Sequence, residues 1–362
     1  MRTISYISEI SLPSSSAYAQ HVLKISDTFS KLYKTNLFLF SSNGNYKAQK
    51  KKYLLKNKFN IIPYKKKIGK ISFLKRLRYS YWVKNKIEVN SLVLSRSILA
   101  SLVLSLYKIK NILELHHPPS GITKYIFNFF RFFKLDSSIK YILISKNLSR
   151  FMKIEKSIVL DDAVDIQDYI KYKTKKIKYE FTYIGSLFNG KGFEVIDYLS
   201  KNFPNNKFYV FGDLTTLDKT IYNLDILKHR KNLFLKGYIE YKKIPKILSM
   251  SKFLLMPYQN KVHVNSKDLE VSNFMSPLKL FDYLASSQII IASKMQVYSH
   301  ILKDNYNSIL VNNYNFNNWK KKINFVLKNK NTLSYLGINS KKLAFKYTWD
   351  KRVKKIIEWH NN

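Results

Sequence analysis

A glycine-rich loop with a lysine at its centre lies near the middle of the chain. Residues 183–196 read YIGSLFNGKGFEVI, so an apolar strand ends at Gly185 and Lys191 precedes a helical pattern. A strand, a glycine-rich loop and a helix N-terminus offer backbone N–H groups and a positive dipole end to a phosphate. The loop matches neither the dinucleotide-binding nor the Walker pattern, so an ordinary strand–helix turn is the alternative.

A second candidate phosphate site lies at a helix start. Residues 276–293 read SPLKLFDYLASSQIIIAS, in which Ser276 is a favourable N-cap and Pro277 suits the first helical position. Lys279 and Asp282 are three residues apart and share a helix face. Such a lysine can bind phosphate, and a carboxylate one turn later can accept hydrogen bonds from ribose hydroxyls. A capped helix with a surface ion pair is the alternative.

Two adjacent histidines follow a buried strand in the first half of the chain. Residues 112–121 read ILELHHPPSG, which places Glu114, His116 and His117 at the strand end. Sites in open α/β sheets form beyond the carboxyl ends of strands, so this segment is a candidate catalytic site. Successive strand residues point to opposite faces, which argues against a metal site built from all three. A structural histidine pair is the alternative.

The length and composition indicate two globular domains. A chain of 362 residues exceeds the size that one hydrophobic core serves, and 46% hydrophobic residues can fill two cores. The absence of cysteine excludes disulfides, thiolate catalysis and a cysteine zinc site. A formal net charge of +41 favours polyanionic partners, namely nucleic acid, anionic lipid or phosphorylated substrates, although AT-rich coding accounts for part of the lysine excess.

Basic and aromatic residues alternate between Lys47 and Lys86, and no acid occurs until Glu88. This composition suits an anionic membrane surface, where aromatic rings lie at headgroup level and basic side chains meet anionic lipid. A solvated face above core aromatics is the alternative. The longest apolar run, residues 91–106, contains Arg96 and is too short to span a bilayer. We therefore expect no signal peptide and a soluble or membrane-surface protein.

Short apolar stretches that alternate with helical patterns predict the elements that position these residues. The predicted strands are residues 4–8, 36–41, 60–63, 91–95, 111–115, 141–145 and 157–160, then 181–185, 208–212, 233–235, 253–256, 289–292 and 309–311. They are continuously apolar, which is typical of parallel sheets buried on both faces. Strand–helix alternation in both halves predicts two doubly wound α/β domains.

Taken in order, these segments resemble the retaining glycosyltransferases of family 4, the glycosyl transferases group 1, which have the GT-B fold. The similarity rests on ILELHHPP, YIGSLFNGKGFEVI, NLFLKGYI, FLLMPY, SPLKLFDYLASSQIIIAS and YTWDKRVKKIIEWH. It implies two Rossmann-like parallel-sheet domains that face a central cleft. Residues 1–170 would bind the acceptor, residues 171–345 would bind the nucleotide-sugar donor, and a helix in residues 346–362 would cross back onto the first domain.

The resemblance also implies a role for each matching residue. On the acceptor side, His116 would face the transferring sugar, Glu114 would orient the strand end, and a loop would contribute Ser14, Ser15 and Ser16. The implied donor-binding residues are Gly185, Ser186, Lys191, Gly192, Gly237, Tyr238, Ser276, Pro277, Leu278, Lys279 and Asp282. The donor would be a UDP- or GDP-linked sugar, with no metal and no further cofactor.

Three residues depart from the family pattern. Ser186 replaces the usual arginine, Phe274 replaces the first carboxylate of the donor helix region, and Asp282 replaces a glutamate. We predict a metal-independent, retaining hexosyltransferase acting on a saccharide or lipid-linked glycan. Its product would be a bacterial capsule, lipopolysaccharide or exopolysaccharide, made at the cytoplasmic face of the cell membrane. The alternatives are an inactive nucleotide-binding subunit of a glycan assembly complex and a basic nucleic-acid-binding protein, although no recognition module for nucleic acid is visible.

Overall fold

The computed structural model describes residues 3–44, 46–65, 72–172, 176–264, 266–312 and 315–362. Lys66, Lys67 and Lys70 of the predicted basic stretch lie outside these residues. Contacts divide the chain into two units. One unit comprises Met1–Asp162 together with Trp349–Asn362, and the other comprises Ala163–Thr348.

The first unit is built on a parallel sheet whose strands alternate with helices. The strands are β1 (Thr3–Leu12), β2 (Lys34–Ser42), β3 (Asn60–Lys65), β4 (Leu92–Ser95), β5 (Asn111–Leu115), β6 (Ile139–Leu143) and β7 (Ser157–Val159). The helices are α1 (Ala17–Phe29), α2 (Tyr46–Tyr53), α3 (Phe73–Lys84), α4 (Ile98–Leu106), α5 (Gly121–Phe132) and α6 (Lys146–Met152). The strand order is β3-β2-β1-β4-β5-β6-β7.

The second unit repeats this plan. Its strands are β8 (Tyr179–Ile184), β9 (Phe208–Phe211), β10 (Leu233–Leu235), β11 (Ser251–Met256), β12 (His263–Val264), β13 (Ser266–Glu270), β14 (Ile289–Ser293) and β15 (Ile309–Val311). Its helices are α7 (Gln167–Ile170), α8 (Phe193–Asn202), α9 (Leu224–His229), α10 (Ile244–Ser249), α11 (Leu278–Ser286), α12 (Phe316–Lys328) and α13 (Ser334–Ala344). The parallel sheet has the order β10-β9-β8-β11-β14-β15.

Both sheets are buried on both faces, as the apolar strands predict. Every residue of β4 and of β14 is buried, and helices pack on either side of such strands. The predicted doubly wound α/β fold is confirmed, and each predicted strand coincides with an observed one. The antiparallel pair β12–β13 was not predicted, because it carries no run of apolar residues.

The segment that joins the two sheets packs with the second unit. Ile166 and Tyr169 belong to the core that also contains Leu280 and Tyr283, and Val164 pairs with Thr348 in an isolated bridge. Residues 163–170, which the sequence analysis placed in the first domain, are therefore part of the second unit. A last helix, α14 (Trp349–Asn361), follows the second unit, contacts α1 and is grouped with the first unit.

Several aromatic residues of the basic stretch belong to the core of the first unit. Tyr53, Phe59 and Tyr79 are buried, and the Tyr79 hydroxyl donates to the backbone oxygen of Ser8 at 2.9 Å. These rings therefore cannot contact a membrane surface in this conformation. Within the residues described, no helix is both long and apolar enough to cross a bilayer.

Candidate functional site

The glycine-rich loop leaves the carboxyl end of β8 and enters α8 through two left-handed glycines. Gly190 has φ +79° and Gly192 has φ +99°, a conformation that favours glycine. A Cβ atom on Gly190 would collide with the backbone of Lys261, and one on Gly192 would collide with that of Pro257. The loop is thus pressed against the segment that follows β11, and this contact fixes the position of Lys191.

Two lysines converge on one tyrosine beside this loop. The Nζ atoms of Lys191 and Lys279 lie 5.5 and 5.0 Å from the centre of the Tyr258 ring, and Lys279 Nζ also lies 3.9 Å from the centre of the Tyr183 ring. Among the described residues, Lys279 Nζ is buried without a hydrogen-bond partner and neither lysine pairs with a carboxylate. Since buried charges are normally paired, this arrangement indicates a site for an anion.

The electrostatics of the lysine pair support the same interpretation. Burial lowers the pKa of Lys191 to about 8. Burial, together with the neighbouring charge of Lys191, holds the pKa of Lys279 well below its ordinary value. A bound diphosphate would supply the missing negative charge and restore the protonated form of both lysines.

The helix that carries Lys279 begins one residue later than predicted. Pro277, with ψ 122°, is the extended N-cap of α11, so the helix starts at Leu278, and no side chain caps its first turn. The expectation that Ser276 caps the helix and Pro277 begins it is therefore wrong. A helix N-terminus without a side-chain cap leaves its first N–H groups open to a ligand, in the same place as the lysine pair.

Asp282 faces a different set of side chains from Lys279. Its Oδ1 accepts hydrogen bonds from the hydroxyls of Tyr169, at 2.6 Å, and Tyr241, at 3.4 Å. Burial and the charge of Asp282 hold the pKa of both tyrosines well above the ordinary value, so both remain donors. The carboxylate is itself buried, and ribose binding would require it to accept further bonds or exchange a tyrosine.

The other predicted donor residues lie at the same edge of the second sheet. Gly185 follows β8, and a Cβ atom there would come within 2.7 Å of Lys279 Nζ. The carbonyl oxygen of Ser186 accepts the Tyr183 hydroxyl at 2.7 Å. Gly237, with φ +71°, and the partly exposed Tyr238 follow β10. The carboxyl ends of parallel strands share one edge, which is where α/β folds bind ligands.

In the first unit, three basic groups surround one oxygen of Glu114. His116 Nε2 lies 2.6 Å from Glu114 Oε1, His21 Nε2 lies 2.8 Å from it, and Arg352 Nη2 donates to it at 2.8 Å. The far side of the His21 ring contacts a second carboxylate, since Nδ1 is 2.5 Å from Asp162 Oδ1. The predicted pair of Glu114 and His116 is thus the outer part of a five-residue buried network.

This network keeps its carboxylates ionised and His116 neutral. Burial opposes ionisation of Glu114, but the charges of His21 and Arg352 outweigh it and hold the Glu114 pKa well below its usual range. Burial and nearby Arg96 lower the His116 pKa to about 3, although Glu114 opposes this shift. Because an ionised carboxylate only accepts, neutral His116 carries its proton on Nε2 and leaves Nδ1 as an acceptor.

His21, Glu114 and His116 also form a group whose ligand atoms lie within 4.8 Å of one another, as a metal site would require. A cation there would compete with the guanidinium of Arg352 for the same Glu114 oxygen. Arg352 also donates to the backbone oxygens of Leu160 and Asp161, which holds it in place. The residues present therefore fit an ion-pair network better than a metal centre.

The two remaining predicted features of the acceptor side are ordinary structural contacts. His117 Nδ1 lies 2.8 Å from the Pro118 carbonyl oxygen. Ser16 caps α1 by accepting from the backbone N–H of Ala19 at 3.1 Å, and its hydroxyl is 2.9 Å from that of Ser14. The loop that contains Ser14, Ser15 and Ser16 follows β1, at the sheet edge where His116 follows β5.

Sequence reasoning missed His21, Asp162 and Arg352. His21 lies within α1, Asp162 follows β7, and Arg352 belongs to α14, so the network joins segments that are 141 and 238 residues apart. Each residue alone resembles an ordinary helical or loop position. The one local signal was the acid pair in VLDDAVD, which is unusual in a chain with few acids.

Comparison with solved structures shows the fold of the whole chain. It is similar to a glycosyltransferase from Rickettsia africae ESF-5, with a TM-score of 0.74, 13% identity, and coverage of 99% of this chain and 98% of that one. For HepE of Anabaena in complex with UDP, the TM-score is 0.72 at 13% identity, with 99% of each chain covered. For WaaG, a glycosyltransferase involved in lipopolysaccharide biosynthesis, the TM-score is 0.60 at 12% identity, covering 98% and 99%.

Comparison at the level of sequence is restricted to the second unit. No curated protein sequence is significantly similar to the chain. Residues 166–343 match the family model of the glycosyl transferases group 1, and this range lies inside the unit that holds the lysine pair. The whole chain therefore has the GT-B fold of the similar glycosyltransferases, and its second unit carries the sequence pattern of the glycosyl transferases group 1.

Proposed function

We propose that this protein is a retaining glycosyltransferase of family 4 that moves a hexose from a nucleotide-sugar donor to a saccharide or lipid-linked glycan. The observation that carries the proposal is the convergence of Lys191 and Lys279 on Tyr258 without a carboxylate partner. The match of residues 166–343 to the glycosyl transferases group 1 supports it. HepE, which has a similar fold, has been solved with UDP and with UDP-glucose, which favours a UDP-linked donor over the GDP-linked alternative.

The chemistry proposed for the donor side is electrostatic. In sugar transfer from a nucleotide donor, negative charge grows on the leaving diphosphate. Lys191, Lys279 and the open N-terminus of α11 would stabilise that charge, and such preorganised groups lower the barrier most where water is excluded. This assignment requires no metal ion. We assign the base to the backbone near Gly237 and Tyr238, and the ribose to Asp282.

We assign His116 to the transferring sugar. Its ring is neutral, and Glu114 fixes its tautomer so that Nδ1 can accept a hydrogen bond from a hydroxyl. Glu114 acts through His116 and is a positioning residue. We further propose that the product is a bacterial surface polysaccharide made at the inner face of the cell membrane, with the basic stretch from Lys47 to Lys86 near anionic lipid. The role of WaaG in lipopolysaccharide biosynthesis supports this setting.

Titration calorimetry with UDP, GDP, ADP and the matching nucleosides tests the donor assignment. We expect a diphosphate nucleotide to bind, and Lys191→Ala to weaken it by about 1.5–3 kcal/mol while nucleoside binding is unchanged, since a charge-assisted phosphate contact has that magnitude. Lys219→Ala, on a surface loop of the same unit, is the control. Equal losses for diphosphate and nucleoside would place Lys191 outside the phosphate site.

A second candidate is an inactive nucleotide-binding subunit of a glycan assembly complex. Ser186 and Phe274 favour it, because both positions carry charge in the family pattern. Nucleotide binding without hydrolysis of any sugar nucleotide, and without transfer to a glycan acceptor, would select this candidate. Slow hydrolysis that Lys191→Ala abolishes would select the enzyme.

A further inference from the structure

Helix α5 is apolar on two faces, although only one of them packs against the first unit. Phe127 and Phe130 are buried on the inner face. We call the outer row the aromatic stripe, and its members expose 54–81% of their surface: Ile122, Tyr125, Phe129, Phe132 and Phe133. Their spacing of three and four residues makes one continuous row about 16 Å long.

The stripe is a contiguous patch rather than a set of scattered residues. The rings of Phe129 and Phe133 lie 4.6 Å apart between centroids, and those of Phe132 and Phe133 lie 5.0 Å apart. Arg131 donates to the carbonyl oxygens of Met152, at 3.2 Å, and Lys153, at 3.3 Å, so the end of α5 is fixed beside the end of α6. A rigid exposed patch of this kind marks an interaction surface.

The surrounding layer carries positive charge and no negative charge. Helices α3, α4 and α5 contact one another in series, and their sequences contain no aspartate or glutamate. The basic residues of these three helices are Lys75, Arg76, Arg78, Lys84, Lys124 and Arg131. The last helix of the same unit differs, since α14 includes Asp350 and Glu358. The absence of acids is therefore a property of this layer.

We propose that this layer docks on a bilayer containing anionic lipid, with the aromatic stripe inserted among the headgroups. Aromatic rings on one helix face, flanked by lysine and arginine, match the boundary between headgroups and acyl chains. A second copy of the chain fits less well, because docking stripe to stripe would bring two acid-free basic layers together. The basic stretch from Lys47 to Lys86 supplies long-range attraction, whereas the stripe supplies apolar contact, which salt does not screen.

Vesicle co-sedimentation with the full chain tests this proposal. The vesicles contain phosphatidylcholine with phosphatidylglycerol, or phosphatidylcholine alone. The variant combines Phe129→Ser and Phe132→Ser, and we expect its partition onto mixed vesicles to fall at least about tenfold, because two rings leave the interface. The matched control combines Ile226→Ser and Tyr306→Ser, which are equally exposed in the second unit, and should partition like the unchanged protein.

Three further measurements make the outcome decisive. All proteins should melt within a few degrees of one another, because the substituted side chains are exposed. Loss of binding in high salt for the unchanged protein but none from the stripe variant would overturn the proposal and leave charge alone as the cause. Self-association that the variant abolishes, with unchanged vesicle partition, would identify a second copy as the occupant. The assay contains no nucleotide, so failure of the proposed transferase activity would not alter its result.

Discussion

The affinity of this protein for a nucleoside diphosphate should depend on pH with a break near pH 8. Burial lowers the pKa of Lys191 to about 8 in the free protein, and a diphosphate binds its protonated form. Lys191 is thus fully available below pH 8 and is lost as the pH rises above it. At pH 9 about one tenth of Lys191 is protonated, so affinity should fall by a further factor of about ten, or about 1.4 kcal/mol.

Titration calorimetry with UDP between pH 7 and pH 9, with uridine as the nucleoside control, measures this dependence. Lys279 adds a proton uptake of its own across the whole range, because its pKa is already held well below the ordinary value. It changes the slope but not the position of the break. The Lys191→Arg variant keeps its charge at pH 9 and should remove the break. A wild-type curve without a break, or an equal break for uridine, would refute the assignment of Lys191.

Three other predictions concern the buried network of the first unit. His116→Ala should keep nucleotide affinity within a few-fold but slow transfer by about 10²–10⁴; His117→Ala should act through stability alone, as transfer rates and melting would show. Arg352→Ala should lower the free energy of unfolding in urea by about 3–5 kcal/mol, because it leaves a buried carboxylate unpaired, whereas the exposed Lys354→Ala should cost less than about 0.5 kcal/mol. Glu114 has a lowered pKa, so its contribution is present above about pH 4.3 and lost in more acid solution; the difference in Tm between the wild type and Glu114→Gln should shrink below that pH.

Outcomes that contradict these three predictions are specific. A His117→Ala variant that folds normally without turnover, beside an active His116→Ala variant, would show that the strand register was misread. Equal unfolding free energies for Arg352→Ala and Lys354→Ala would mean that the contact with Glu114 contributes nothing. A constant Tm difference at every pH would mean that Glu114 is not ionised in the folded protein.

The sheets were predictable from sequence because burial on both faces leaves a strong local trace. A strand such as β14, with three consecutive isoleucines, admits few other interpretations. The convergence of Lys191 and Lys279 was also predictable, since both follow from strand ends that must share an edge. The start of α11 was misplaced by one residue, because the sequence preference of serine for the N-cap competes with the extended conformation of Pro277.

Other parts of the site depend on contacts that no local pattern records. The charge on Glu114 is balanced by His21 and Arg352, which come from the first and last helices of the described chain. Tyr169 and Tyr241 approach Asp282 from separate elements, so the carboxylate looked like an exposed helical residue in the sequence. The aromatic stripe was also hidden, because periodicity cannot tell which of two apolar faces packs inward.

The discontinuity of the first unit has a consequence for the order of folding. Residues 163–348 are all synthesised before Arg352, so the second unit can fold as a continuous piece while the first is still incomplete. Until Arg352 and Trp349 arrive, Glu114 lacks its guanidinium and the His21 ring lacks the indole that packs edge-on against it at 5.3 Å. A nascent chain would thus acquire its diphosphate-binding lysines first, and a well-ordered His116 only once synthesis has passed α14.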